Sequence, residues 1–306
     1  MNAVGRALPQ VVSLGEALTD MVRVGDSAWQ SVPGGSGWNV ARAAAALGVR
    51  SAFAGAISRD CFGDAIWTAS ERSQLDTRFL QRLDKAPLLA IVHATHPPEY
   101  FFVGNDAADL GFDPDQLPAG WDANLPWAHF GGISLTREPL ASRLIGLAQK
   151  LRAQGTRISY DPNFRNVMTP AYLATLRTMV GLADVVKVSD EDLLGLMPTL
   201  PAQDALTALQ GWNPSARILH THGAEGATLW HLGVAAHCPA FVVDVADTVG
   251  AGDASVAGLL YSLLQAPDAP SHHHVRWAMA CGAAACMGVG PSPATREEVT
   301  CLLETR

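Results

Sequence analysis

With 306 residues, 48% of them hydrophobic and 16% charged, the chain is long enough for a large α/β core with an appendage and apolar enough to fill it. Its net charge of -8 and the lack of any dense Lys/Arg run argue against nucleic acid and anionic membrane as partners, and no apolar run approaches the ~18 residues of a membrane span. Five scattered cysteines without C-x-x-C spacing, and an N-terminus with no basic segment leading into a long apolar one, point to a reduced, cytoplasmic protein without a zinc finger.

In chain order, residues 11–14 read as a short strand ended by Gly15. Pro33-Gly34-Gly35-Ser36-Gly37 reads as a glycine-rich loop, and the Ala-rich stretch 39–47 as a helix that Gly48 stops. Residues 51–57 form the next strand. Strands at 88–94 and 100–103 flank the turn His96-Pro97-Pro98; with no helix between them they make a hairpin. A strand at 127–133 leads to a helix at 139–154, with Pro139 near its start and Gly155 at its end. A strand at 157–160 runs into Asp161. Further strands are expected at 185–188, 218–221 and 228–231, with helices at 171–182 and 202–209. The last third adds small-residue helices at 254–265 and 275–287. His272-His273-His274, flanked by Pro267, Pro270 and Ser271, reads as a solvated loop and not as a metal tract. Strand–helix alternation over most of the chain predicts one three-layer α/β/α domain, residues 1–306, around a mainly parallel sheet. Segments near 16–33 and 88–110 interrupt it and are expected to form a small β-sheet lid.

The chemistry concentrates in Asp247-Thr248-Val249-Gly250-Ala251-Gly252-Asp253. Three small residues precede a carboxylate, and the carboxylate opens an apolar-periodic helix. Free N–H groups and the positive end of the helix dipole suit an anion such as a phosphate. Asp253 beside that anion is placed to accept a proton, which suggests phosphoryl transfer to a hydroxyl. Other phosphate motifs fail. None of the three lysines, Lys85, Lys150 and Lys187, follows a glycine as a Walker A loop requires. Gly250-Ala251-Gly252 reaches Ser255 where a dinucleotide fingerprint needs a third glycine, and it lies at the wrong end of the chain. No G-x-S-x-G elbow and no protein-kinase motif set is present.

Two signatures together resemble the ribokinase-like (PfkB) carbohydrate kinase family: Gly34-Gly35-Ser36-Gly37-Trp38-Asn39-Val40-Ala41 with Gly48, and the heptapeptide with Ala257-Gly258-Leu259 after it. Between them, Gly15-Glu16-Ala17 with Asp20, Asp161-Pro162-Asn163-Phe164-Arg165, Lys187-Val188-Ser189, and Thr221-His222-Gly223 with Gly226 add lesser matches over nearly the whole length. The resemblance implies a ribokinase-like fold and an ATP- and Mg²⁺-dependent sugar kinase. Asp253 is then the base, and the amides of Gly250, Ala251 and Gly252 stabilise the transferring phosphoryl group. Asp20, Gly34, Gly35, Asn39 and Arg165 face the sugar. Lys187, Ser189, Thr221, Gly223 and Gly226 lie on the nucleotide side, with Asp192 near magnesium. Asp247, the Val249 carbonyl and Ser292 are implied ligands of a monovalent cation such as K⁺, in a closing loop at 288–292 that is shorter than usual for the family.

The middle motifs resemble the fructokinase and 2-keto-3-deoxygluconate kinase branch. A keto acid calls for a cation at its carboxylate, and that branch often places Arg in the lid after an aromatic pair. This chain reads Phe101-Phe102-Val103-Gly104-Asn105 there, without Arg, so a neutral sugar, D-fructose first, is expected. Gly104, and Ser58 in place of a glycine, depart from the pattern. Ribose, a nucleoside or 2-keto-3-deoxygluconate are alternative acceptors, and a catalytically silent sugar-binding regulator is the rival of another class. The lid's open edges, with the family's habit, suggest a homodimer through the lid.

Overall fold

The computed structural model describes residues 7–95, 98–290 and 292–304. The turn residues His96 and Pro97, and Pro291 of the closing loop, lie outside the described residues.

The chain opens with β1 (Val11–Leu14), β2 (Leu18–Arg23), β3 (Trp29–Gly34), α1 (Ser36–Ala46), β4 (Ser51–Ser58), α2 (Cys61–Arg72), β5 (Leu80–Leu83), β6 (Leu89–Thr95) and β7 (Pro98–Val103). It continues through β8 (Trp127–Gly131), α3 (Leu140–Ala153), β9 (Arg157–Asp161), α4 (Tyr172–Leu182), β10 (Val185–Ser189), α5 (Asp190–Leu196), α6 (Ala202–Trp212) and β11 (Arg217–Thr221). It ends with β12 (Ala227–His231), β13 (Val234–Cys238), α7 (Ala251–Gln265), α8 (Ser271–Cys286) and α9 (Arg296–Glu304).

Among the described residues, nine strands form one sheet in the order β13-β12-β11-β10-β9-β8-β1-β4-β5. From β11 to β5 every pair is parallel; β12 and β13 close one edge antiparallel. The central strands β1, β4, β8, β9, β10 and β11 are short, apolar and mostly buried, as helix-covered parallel sheets require. Alternate residues feed two cores. Leu14, Phe130, Tyr160 and Val188 pack with Leu144 of α3, Leu176 of α4 and Leu206 of α6. Val11, Trp127, Val185 and Leu219 pack with Val40 of α1, Leu260 of α7 and Ala278 of α8. This is the expected ribokinase-like α/β/α architecture.

The lid is a separate four-stranded sheet in the order β3-β2-β6-β7. The segment expected as a glycine-rich loop at 33–37 is corrected here. Pro33 and Gly34 finish β3, paired with Thr19 and Leu18, and α1 begins at Ser36 instead of Asn39. Proline is tolerated because β3 is an edge strand. The reading of His272-His273-His274 as a solvated loop is also corrected. These residues form the first turn of α8 behind Pro270, and His274 is buried, its Nδ1 2.8 Å from Ser262 Oγ of α7.

Candidate active site

The functional side chains meet where the parallel strands end. Asp161 closes β9 and Lys187 lies opposite it on β10, on the sheet face that carries α1 and α7. Lys187 is buried, its Nζ 3.3 Å from Asp161 Oδ2 and 3.3 Å from Asp192 Oδ2. Burial alone depresses a lysine pKa, but Asp161, Asp192 and Asp253 outweigh it and hold the ammonium charged. The Asp161 carboxyl is pushed up by burial and by the neighbouring carboxylates, against the pull of Lys187. Asp192 is lowered despite its burial, because Lys187 and hydrogen-bond donors surround it. Its Oδ1 accepts from the Phe164 N–H (2.7 Å), and its Oδ2 accepts from the Ser189 N–H (2.7 Å). Ser189 Oγ accepts the Asp192 N–H in return, a reciprocal cap that starts α5.

Asp253 sits in the first turn of α7 and is 8% exposed. Ser36 Oγ donates to its Oδ1 at 2.7 Å and Asn39 Nδ2 to its Oδ2 at 2.9 Å. The donors belong to α1, 217 and 214 residues away in sequence. Burial raises the Asp253 pKa above the usual carboxylate value, while Ser36, Asn39, Lys187 and Arg165 resist the rise. Gly250 precedes the helix in the left-handed region (φ 84°), which glycine adopts without strain. A Cβ at Gly252 would lie 3.3 Å from Lys187 Nζ, so the lysine borders the bare backbone of the helix start. Within the expected trio, the Ala251 N–H donates back to the Thr248 carbonyl (3.2 Å) and is engaged inside its own turn.

From the lid, Asp20 on β2 faces the same region. Burial lifts its pKa to about 6, opposed by Arg165. Arg165 acts on both Asp20 and Asp253, and its guanidinium stands 5.8 Å from the Tyr100 ring on β7. Its Nη1 donates to Asn163 Oδ1 (2.6 Å) and the Phe164 carbonyl (2.7 Å), which anchors it to its own loop. A Cβ at Gly34 would collide with the Asp20 carboxylate, and one at Gly35 would come within 2.5 Å of the Glu16 carbonyl. Bare backbone is therefore required where lid and helix meet.

Thr221 ends β11, and Gly223 and Gly226 bound the turn to β12, closed by the His222 N–H on the Gly226 carbonyl (2.8 Å). Asp247 accepts from the Val249 N–H (3.0 Å) and the Gly290 N–H (2.9 Å), so the segment before α7 is tied to the closing loop that holds Ser292.

Residues 8–297 match the pfkB family of carbohydrate kinases. The chain belongs to this family. It is 32% identical over 257 residues to a fructokinase of Klebsiella pneumoniae, covering 82% of this chain and 83% of that one. Its fold superposes on a Vibrio cholerae O395 fructokinase double mutant in a fructose-, ADP- and potassium-bound form, with a TM-score of 0.85, 29% identity and coverage of 98% and 100%. It also superposes on an aminoimidazole riboside kinase of Salmonella enterica, complexed with aminoimidazole riboside and an ATP analogue, with a TM-score of 0.84, 28% identity and coverage of 96% and 99%.

Two residues of this candidate site were not singled out from sequence. Ser36 lies inside the N-terminal signature, but nothing local says that it reaches Asp253. Asp161 was legible in principle. A lysine inside the apolar run Val185-Val186-Lys187-Val188 needs a buried counter-ion, and Asp161 ends the preceding strand. Gly104 also finds a reason here: its φ is +154°, and a Cβ would meet Leu88 Cδ1 at 2.8 Å and Ala107 Cβ at 3.0 Å, so a larger residue would be strained and would displace its neighbours.

Proposed function

We propose that this PfkB kinase transfers the γ-phosphoryl group of ATP to D-fructose, giving ADP and fructose 6-phosphate. The observation that carries the reading is Asp253, a buried carboxylate in the first turn of α7, held by Ser36 and Asn39, with Arg165 acting both on it and on the lid residue Asp20. Its raised pKa makes it a better proton acceptor than a free aspartate. It would take the proton of the acceptor hydroxyl as that oxygen attacks the phosphoryl group. The amides at Gly250 and Gly252, the helix dipole and Lys187 would stabilise the charge on the transferring oxygens. Thr221, Gly223 and Gly226 would line the nucleotide, with Ser189 close by.

Magnesium, when bound with the nucleotide, neutralises phosphate charge. Both oxygens of Asp192 are already engaged, so the fit is to an ion held by phosphates and water, with Asp192 backing Lys187. Asp247, the Val249 carbonyl and Ser292 would hold a monovalent cation that stiffens the closing loop.

A neutral acceptor fits the charges. Arg165 is answered by Asp20, and a substrate carboxylate would meet the negative charge of Asp20. Likeness to a riboside kinase keeps a nucleoside-type acceptor as the second reading. Exposed Val24, Trp29, Phe101 and Val103 on the lid support a homodimer through this sheet. Among the described residues no helix is long and apolar enough to cross a membrane; a cytoplasmic location remains part of this reading.

The test is an ADP-release assay over fructose, ribose, aminoimidazole riboside and 2-keto-3-deoxygluconate. The expected result is release that depends on fructose. A kcat/KM for another acceptor at least ~10-fold above that for fructose overturns the assignment.

A further inference from the structure

Behind the nucleotide loop, on the sheet face opposite Lys187, three groups converge that phosphoryl transfer does not use. Asp190 opens α5, His220 lies on β11, and His222 follows that strand directly. His220 Nε2 is 2.7 Å from Asp190 Oδ1, and His222 Nδ1 is 3.3 Å from both Asp190 oxygens. One donor atom from each residue lies within 4.8 Å of the other two. A four-coordinate zinc-type ion, with bonds of about 2.0–2.2 Å, spaces its ligands about 3.3–3.6 Å apart. The three groups therefore reach coordination distance by adjustments on the order of an ångström.

A second layer stands behind them. His222 Nε2 is 3.3 Å from Thr228 Oγ1 on β12, and that oxygen is 3.2 Å from His237 Nδ1 on β13. With Nδ1 of His222 on a metal, its Nε2–H donates to Thr228, and the threonine hydroxyl donates to His237. This relay fixes the tautomer in the way that supports histidine ligands. The His220 ring is buried, while the Asp190 side chain is half-exposed and opens an entry path.

We propose that Asp190, His220 and His222 form a binding site for a divalent transition-metal ion of the zinc class, with water completing its coordination. Two imidazoles and one carboxylate suit zinc, cobalt(II), nickel(II) or copper(II) better than magnesium, which prefers oxygen ligands. The ion would staple two segments that border the nucleotide. Asp190 adjoins Ser189, and His222 separates Thr221 from Gly223. This coupling rests on the nucleotide reading given above; the metal site itself does not.

Cobalt(II) is the probe. Full-length protein stripped with chelator is titrated with Co²⁺ without nucleotide, followed by visible absorption and calorimetry. The expected result is one equivalent bound, with the visible bands of a low-coordinate site. His220→Ala and His222→Ala should each weaken binding at least ~10-fold, as should Asp190→Asn, which keeps the side-chain shape. His272→Ala, at an exposed position on α8, should bind like the native chain. Circular dichroism confirms that each variant is folded. Absence of saturable one-to-one uptake, or uptake that His220→Ala and His222→Ala leave intact, overturns the site. A KM for ATP that shifts at least ~3-fold on Co²⁺ addition in the native chain, but not in His222→Ala, supports the staple; an unchanged KM with cobalt bound overturns the staple.

Discussion

Asp253→Asn separates the chemical role of this residue from its structural one, because the two move in opposite directions. Loss of the base should lower kcat for fructose by about 10²- to 10⁴-fold, or about 3–5 kcal/mol of transition-state stabilisation. The fold should not suffer. Among the described residues Asn39 Oδ1 is buried and finds no partner, while Asn39 Nδ2 donates to Asp253. A flip of the Asn39 amide would let it accept from the new amide at 253, and the remaining oxygen could still accept from Ser36. Because burial raises the Asp253 pKa, the ionised carboxylate disfavours the folded state. This cost develops as pH rises above the unfolded carboxylate value of 3.8 and is complete above the raised folded value. The variant should therefore melt no lower than the native chain at neutral pH, and any advantage should fade as pH falls toward 4. Initial-rate ADP release and thermal unfolding at several pH values check both halves. Fructose turnover within tenfold of native would remove Asp253 from the base role, and a Tm fall of many degrees would show that the ionised carboxylate holds the two signatures together.

Lys187→Met would strand the buried carboxylates of Asp161 and Asp192, at a cost of about 3–5 kcal/mol, visible as a Tm drop on the order of 10 °C; an unchanged Tm would show that those acids are not ionised. Glu16 is buried, accepts from the Ser134 N–H at 3.0 Å, and is raised from 4.5 to about 7 by burial. The folded chain thus keeps a proton that the unfolded chain releases, so stability should fall from about pH 4.5 to about pH 7 and then level. Glu16→Gln should be the more stable protein at pH 8, with the gap closing near pH 4.5, and denaturant titration at both pH values decides it. Gly34→Ala drives a methyl group into the Asp20 carboxylate, so sugar KM should rise at least ~10-fold while ATP KM stays within about twofold; equal increases in both would mean that Asp20 does not face the sugar.

The parallel strands were legible because buried strands of such sheets are short apolar runs set between helical stretches. The lid strands β2 and β3 were harder to read. β3, Trp29-Gln30-Ser31-Val32-Pro33-Gly34, is exposed over its first half and ends in Pro-Gly, so it carries loop chemistry on an edge strand. The seven-residue α5 shows no full amphipathic period, and its reciprocal cap appears only once Ser189 and Asp192 are paired in space. The histidine run misled because prolines mark loops and helix starts alike; burial of His274 against α7 settled the matter. At the site, signature residues were legible as types at fixed spacings. The contacts of Ser36 and Asn39 with Asp253 were not, because they span more than 200 residues and depend on how α1 packs against α7.

The charge balance explains why the site is built at a helix start. On the proposed reading a base must stay ionised in a pocket that receives a polyanionic donor, while Asp253, Asp161 and Asp192 already act on the ammonium of Lys187, with Arg165 as the second cation acting on Asp253. Further lysines would offset the acids, but they would also depress the Asp253 pKa and weaken it as a base. Backbone amides avoid that conflict. They carry only partial charge, they act within the first turn, and they are already oriented by the helix. The glycines at 250 and 252 keep this turn bare beside Lys187, so that on the proposed reading phosphate oxygens would approach the backbone and the ammonium together. The hydrogen bonds from Ser36 and Asn39 also lower the Asp253 pKa against the rise from burial, so these donors from another part of the chain fix the carboxylate and favour its ionised form without adding net positive charge.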